Sequence, residues 1–294
     1  MKYLFEPSPI SFDFVELYCT MSYFISKYPD SPIKINVYRN IFNTQFNIAF
    51  FKPKKDRCDF CEEMKHNVDS SNQKQDRAHL QGKEETRAEK TQDRSIKDDS
   101  IAVISFDLQN VYALPKANVS NFFYKRKFNV YNLTGYCSVN KKTYCALWHE
   151  MIAGRAGNHI CSCVVKILEH IVKDFPGLNR LILWSDSCVP QNRNSIMSFG
   201  LSNFLKRHPK IESIEQKFCE PGHSSIQEVD SVQSLLEKKL RYPEIYSPVS
   251  LTRHLTTIAE DNKKLHIIEM TKMISSIFRN LPTVLRTTAY PIQN

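Results

Sequence analysis

The chain has 294 residues, 41% of them hydrophobic and 11% aromatic, which is enough apolar material for a sizeable core and excludes wholesale disorder. Its 7 glycines include no GxGxxG or GxxxxGK arrangement, which argues against a dinucleotide-binding fold and a P-loop nucleotidase. The formal net charge is +9, and all of it lies in residues 100–294, because residues 1–51 and 52–99 each balance their basic and acidic side chains.

A positive field confined to one region points to a polyanionic partner. No apolar run approaches the ~18 residues of a membrane helix, so no membrane partner is expected. The opening MKYLFEPSPISFDF has prolines and acids where a secretory leader needs a continuous apolar stretch, so the protein is expected inside the cell. The 9 cysteines are odd in number, and a chain this long needs no staples, so free thiols with one metal site are expected.

Residues 1–51 are expected to form a small helical N-terminal region. Tyr38, Ile41, Phe42, Gln45 and Phe46 recur at helical spacing there, an upstream helix is expected around Phe14–Ser26, and Pro29 and Pro32 separate the two. Residues 52–99 open on the CxxC knuckle Cys58-Asp59-Phe60-Cys61 and continue as a solvated, charge-paired linker helix almost without large apolar groups.

From residue 100 the period changes. Ile101–Leu108 is a nearly continuous apolar run, the pattern of a buried central strand, and Phe122–Tyr131 and Thr143–Glu150 read as two further strands. Ala156–Phe175 is helical and stops at Pro176-Gly177. Leu178–Ser185 is a second buried strand, Ser195–Arg207 an amphipathic helix, Ile211–Phe218 a half-buried strand, and Val229–Leu240 a helix. Five strands in the order β-β-β-α-β-α-β-α describe an α/β core with a mixed sheet over residues 100–245. Residues 246–294 are expected to form a C-terminal helical extension.

The two apolar strands each end on an aspartate, Asp107 in SFDLQ and Asp186 in WSDSC. A carboxylate among buried apolar residues is costly unless a cation meets it. Adjacent parallel strands would bring both to one sheet edge, where open α/β folds bind ligands. Glu228 and Asp230, which open the helix after the fifth strand, offer a third carboxylate. Three hard oxygen ligands suit Mg²⁺ or Mn²⁺, and two such ions about 4 Å apart would activate a water or hydroxyl for attack on a phosphodiester. Arg193 is the best single candidate for a phosphate contact; Lys125-Arg126-Lys127, Lys141-Lys142, Lys206-Arg207 and Lys238-Lys239-Arg241 add positive charge.

Cys58 and Cys61 supply two of the four N/S ligands that tetrahedral Zn²⁺ needs, with His66 and His79 following as the other candidates and Cys19 as a further one. The alternative is a reduced structural pair.

Three segments together, SFDLQ, SDSCVPQNRN and GHSSIQEVDSV, resemble the core motifs of a poorly characterised, transposon-derived protein family similar to RNase H-like, DDE-type transposases. FNTQFNIAFFKPKKDRCDFCEEMK resembles the segment that precedes the catalytic core in these proteins. The resemblance spans roughly residues 35–260. It implies an RNase H-like five-stranded mixed sheet flanked by helices, and Asp107, Asp186 and Asp230 as the acidic triad. It also implies Gln191 and Asn192 facing the site, and His223 beside the third acid as an orienting or phosphate-contacting group. DNA would be the substrate, the protein a homo-oligomer, and the compartment the nucleus, or otherwise the cytoplasm. Relatives often carry a histidine where Gln233 stands. A truncated or domesticated copy, inactive but still binding DNA, chromatin or protein, is the alternative expectation.

Overall fold

The computed structural model describes residues 58–66, 73–223 and 227–271. The helical stripes expected within residues 1–51 lie outside them. In chain order, α1 (Asp59–His66) and the long α2 (Gln73–Arg94) lead into β1 (Ile101–Leu108), β2 (Tyr112–Leu114), the short α3 (Ser120–Tyr124), β3 (Phe128–Cys137) and β4 (Lys142–His149). Next come α4 (Gly157–Asp174), β5 (Arg180–Ser185), α5 (Ser195–Arg207), β6 (Ser213–Phe218), α6 (Gln227–Lys239), α7 (Pro248–Asp261) and β7 (Leu265–Glu269).

The strands make one mixed sheet in the order β6-β5-β1-β3-β4-β7, with β2 pairing beside β3. β1, β3 and β4 form an antiparallel meander, β5 and β6 run parallel to β1, and β7 runs parallel to β4. The sheet therefore has seven strands rather than five. Five contiguous strands, β6-β5-β1-β3-β4, correspond to the five expected, and the arrangement is consistent with an RNase H-like fold.

Strand parity sorts the core into layers, because successive side chains point to opposite faces. Ala102, Ile104 and Phe106 of β1 and Leu181 and Leu183 of β5 pack with Ile160, Val164, Ile167 and Leu168 of α4. α4 presses close at one point: a Cβ on Gly135 would lie 3.2 Å from the Ile167 side chain, so only glycine fits without a shift. Val103 of β1 and Ile182 and Trp184 of β5 point to the opposite face, where they pack with Cys219 and Val229 of the β6–α6 segment. Asp107 and Asp186 share this second parity.

Three features depart from the sequence reading. Residues expected to open the second strand instead form α3, and β3 starts only at Phe128. The aromatic run is drawn away from the sheet, with Phe122 stacked edge-on to Tyr246 at 6.1 Å. α2 is not merely a solvated linker. Its last turns cover β5, where Asp93 is 6% exposed and accepts the Trp184 indole N–H at 2.8 Å, and Lys217 closes the pair at 2.9 Å. The region read as a helical extension holds α7 but then returns to the sheet as β7.

α7 begins where Ser247 accepts the Ser250 amide, with Pro248 at its first turn. No helix among the described residues is long and apolar enough to cross a membrane.

Candidate functional site

The acidic edge follows from register. Ser105 lies opposite Trp184 across the parallel β1–β5 pair, and Asp107 and Asp186 each stand two residues further on. They thus emerge side by side at the carboxyl ends of neighbouring strands, on the face that α6 covers. Asp107 is half-buried, and its ionisation is pushed up to about 7, first by loss of solvent and then by the charges of Asp186 and Asp230. Asp230, on the first turn of α6, is exposed but close enough to contribute to that effect. Its neighbour Glu228 is engaged elsewhere, paired to Arg94 at the end of α2.

The loop after β5 is folded around Asp186. The carboxylate accepts the Cys188 amide at 3.3 Å and the side-chain amide of Asn192. The Cys188 carbonyl in turn accepts the amides of Gln191, Asn192 and Arg193, which closes the segment into a turn. Asn192 is 4% exposed and its main-chain oxygen accepts Gln216 Nε2 at 2.9 Å, so it is fixed from two sides. Its own Oδ1 is buried and has no hydrogen-bond partner among the described residues. Gln191 is half-buried, and Arg193 is exposed with its guanidinium 5.5 Å from the Phe218 ring.

A buried polar network, unseen in the sequence, braces α6 against the meander. Gln109, two residues past Asp107, accepts from Asn132 at 2.8 Å and from Tyr112 at 2.7 Å. It donates to the Gln233 carbonyl and to Glu237, each at 3.3 Å. Alternating polar positions on short strands were the signal available for it.

The tightest gathering of ligand-type side chains among the described residues is a different one. Cys58, Cys61, His79 and His223 bring one donor atom each to within 4.8 Å of one another, and the three aspartates do not close to that spacing. Cys61 Sγ lies 3.3 Å from His79 Nε2 and 3.2 Å from His223 Nε2, the two Nε2 atoms are 3.2 Å apart, and Cys58 Sγ is 3.5 Å from His79 Nε2. Tetrahedral zinc with the usual Zn–S and Zn–N bonds has ligand–ligand edges of about 3.3 to 3.8 Å, so the four donors fit such an ion.

Two further details suit a metal ligand set. His79 turns its other ring nitrogen, Nδ1, to Glu220 at 3.3 Å, the orientation that fixes Nε2 as the ligating atom. His223 is held below its ordinary ionisation range by burial, then by Lys83, His79 and Arg87, which favours the neutral ring that binds metal. Gly222 allows the approach: its φ is 77°, and a Cβ there would lie 2.7 Å from Cys58 Sγ.

Of the predicted zinc ligands, Cys58, Cys61 and His79 are therefore brought together. The fourth position belongs to His223, where His66 was expected; the His66 side chain and Cys19 lie outside the described residues. The family resemblance implied His223 beside the third acid; the structure places its ring against Cys61 and His79. His223 lies 162 residues beyond Cys61, and the loop that ends β6 delivers it.

No protein-family model and no curated protein matches the chain. Among solved structures, the chain is similar to the Mos1 mariner paired-end complex with Mn, at 9% identity and a TM-score of 0.32, over 89% of this chain and 80% of that one. It is also similar to the human cytomegalovirus terminase nuclease domain, Mn-soaked and inhibitor-bound, at 8% identity and a TM-score of 0.21, over 62% of this chain and 73% of that one. At such scores neither likeness bears on the function of the chain.

Proposed function

We propose that this protein is a transposon-derived, DDE-type transposase or nuclease that acts on DNA phosphodiesters with two Mg²⁺ or Mn²⁺ ions held by Asp107, Asp186 and Asp230. The observation that carries the reading is the matched placement of Asp107 and Asp186 on neighbouring parallel strands, on the face from which Asp230 descends. Burial and the charges of Asp186 and Asp230 raise the ionisation of Asp107, a cost that a bound cation would offset. Bound there, the ions would acidify the attacking water or 3′-hydroxyl and take up charge on the leaving oxygen.

The chain's own residues have separate parts in this. Asp107 would release its proton to solvent on holding a cation. Asn192 and the Cys188 amide hold the Asp186 carboxylate in one orientation. Arg193 and Gln191, on the same loop, meet the DNA backbone, and Lys238, Lys239 and Arg241 extend the positive surface along α6. The Cys58–Cys61–His79–His223 centre takes zinc, and the substrate puts the protein in the nucleus.

A second reading, a catalytically inactive domesticated module that binds DNA, chromatin or protein, is favoured by one observation: the Cys/His set closes around a common centre and the aspartates do not. One titration separates the two. Mn²⁺ is added to full-length protein, wild type against Asp107→Asn/Asp186→Asn, with labelled DNA present and absent. Millimolar or tighter binding that the double variant loses, with DNA nicking that follows it, supports the enzyme. Equal, negligible binding in both proteins refutes it and leaves the binding module.

A further inference from the structure

We infer that the Cys58–Cys61–His79–His223 centre, loaded with zinc, is the tether that sets α6 in place and so aims Asp230 at Asp107, which makes its four side chains positioning residues for the acidic edge. The inference rests on the reading of that edge given above and adds a second, structural metal that governs it.

Four placements carry it. The ligands come from three elements that share little apolar contact: the turn into α1, the exposed half of α2, and the loop after β6. In α2 the single large apolar side chain, Leu80, is 44% exposed, so hydrophobic burial does not hold this helix. Its far end is held by polar contacts, Asp93 to Trp184 and Lys217, and its near end by His79 in the Cys/His set. Gly82, three residues on, packs on the loop, since a Cβ there would lie 3.0 Å from Glu220 Oε2.

The acid-bearing helix follows the loop closely in sequence. His223 and Gln227 are separated by residues 224–226, a span of at most about 14 Å when fully extended. The position of His223 thus limits where α6 starts. α2 grips the same helix a second time, through Arg94 and Glu228 on its first turn. The buried network from Gln109 to Gln233 and Glu237 secures the helix further along, and Val229 seats its first turn on Val103, Ile182 and Trp184, so release of the tether loosens the start of the helix, where Asp230 stands, without detaching it. Structural zinc supplies folding free energy directly in small sites of this ligand type, which is what an element without apolar anchorage needs.

The test compares full-length wild type, His223→Ala and His223→Cys, the last of which keeps a zinc-ligating atom at the position. Zinc content is measured by emission spectroscopy, amide exchange over residues 228–236 by mass spectrometry, Mn²⁺ affinity by paramagnetic resonance titration, and core integrity by near-ultraviolet dichroism. Expected are one zinc per chain in wild type, and in His223→Ala loss of zinc with at least tenfold faster exchange in α6. Mn²⁺ affinity in that variant falls at least tenfold while the aromatic signal of the core persists, and His223→Cys restores zinc, exchange and Mn²⁺ affinity together.

Wild type that holds no zinc, or zinc loss that leaves α6 exchange unchanged, overturns the tether. Unchanged Mn²⁺ affinity after zinc loss overturns its link to the acidic edge. Zinc-loaded wild type that binds no Mn²⁺ instead refutes the acidic-site reading, and the exchange data then still decide the tether. Should His223→Ala fail to fold, zinc withdrawal from wild type by a chelator, reversed by added zinc, makes the same comparison.

Discussion

Asp107→Asn should make the metal-free acidic edge more stable, and increasingly so as pH rises. The Asp107 carboxyl ionises at about 7 in the folded protein against an ordinary 3.8, through burial and the charges of Asp186 and Asp230. Between those two values the folded state keeps a proton that the unfolded chain has released. Stability therefore falls as pH rises through this window and levels off above 7. At 1.36 kcal/mol for each tenfold change, the penalty is about 2 kcal/mol at pH 5 and about 4 kcal/mol at pH 8.

The asparagine variant has no such ionisation. Its advantage over wild type should grow by about 2–3 kcal/mol between pH 5 and pH 8, or about 3–5 °C in melting temperature for a protein of this size. Urea denaturation of both proteins at pH 5, 6, 7 and 8, zinc retained and Mg²⁺ and Mn²⁺ excluded, reads the difference directly. Cys188 and Cys219 feel the Asp107 charge, but burial pushes both thiols up from an ordinary 9.0, beyond the pH range measured. Two curves that stay parallel within about 0.5 kcal/mol would refute the claim that burial and like charge hold Asp107 protonated.

Three more substitutions probe the parts around the site. Trp184→Phe removes the indole donor to Asp93 and some buried volume, and should cost about 2–4 kcal/mol in denaturant melts, with α2 losing amide protection first. Gly222→Ala forces a left-handed backbone on alanine and a methyl against Cys58, so zinc should leave the protein faster and stability should drop by more than about 1 kcal/mol; unchanged zinc retention would count against the centre. Arg193→Ala should weaken DNA binding alike across sequences and lower the salt slope by about 1, as measured by fluorescence anisotropy at several salt concentrations.

The strongest local patterns were legible in the chain. Ile101–Leu108 and Leu178–Ser185 are short apolar runs ending on acids, and such runs become central strands wherever they are placed, so Asp107 and Asp186 were found without coordinates. Ser195–Arg207 carried its own boundaries, with Asn194 as cap and Pro209 just beyond. Cys58 and Cys61 announced a ligand pair by spacing alone.

What depended on distant partners was not legible. His223 becomes a candidate ligand only when β6 pairs with β5 and the following loop lies against α1 and α2. Asp93 and Lys90 look like surface charges in a polar helix until Trp184 and Lys217 appear beneath them. β7 is five residues of mixed burial, too weak a pattern to stand apart until β4 offers an edge to pair with. Local sequence determined which segments are strands and helices and where the two acids sit, because propensity and periodicity act over a few residues. Tertiary structure alone decided which donors meet, since Cys61 and His223 stand 162 residues apart and no local signal links them.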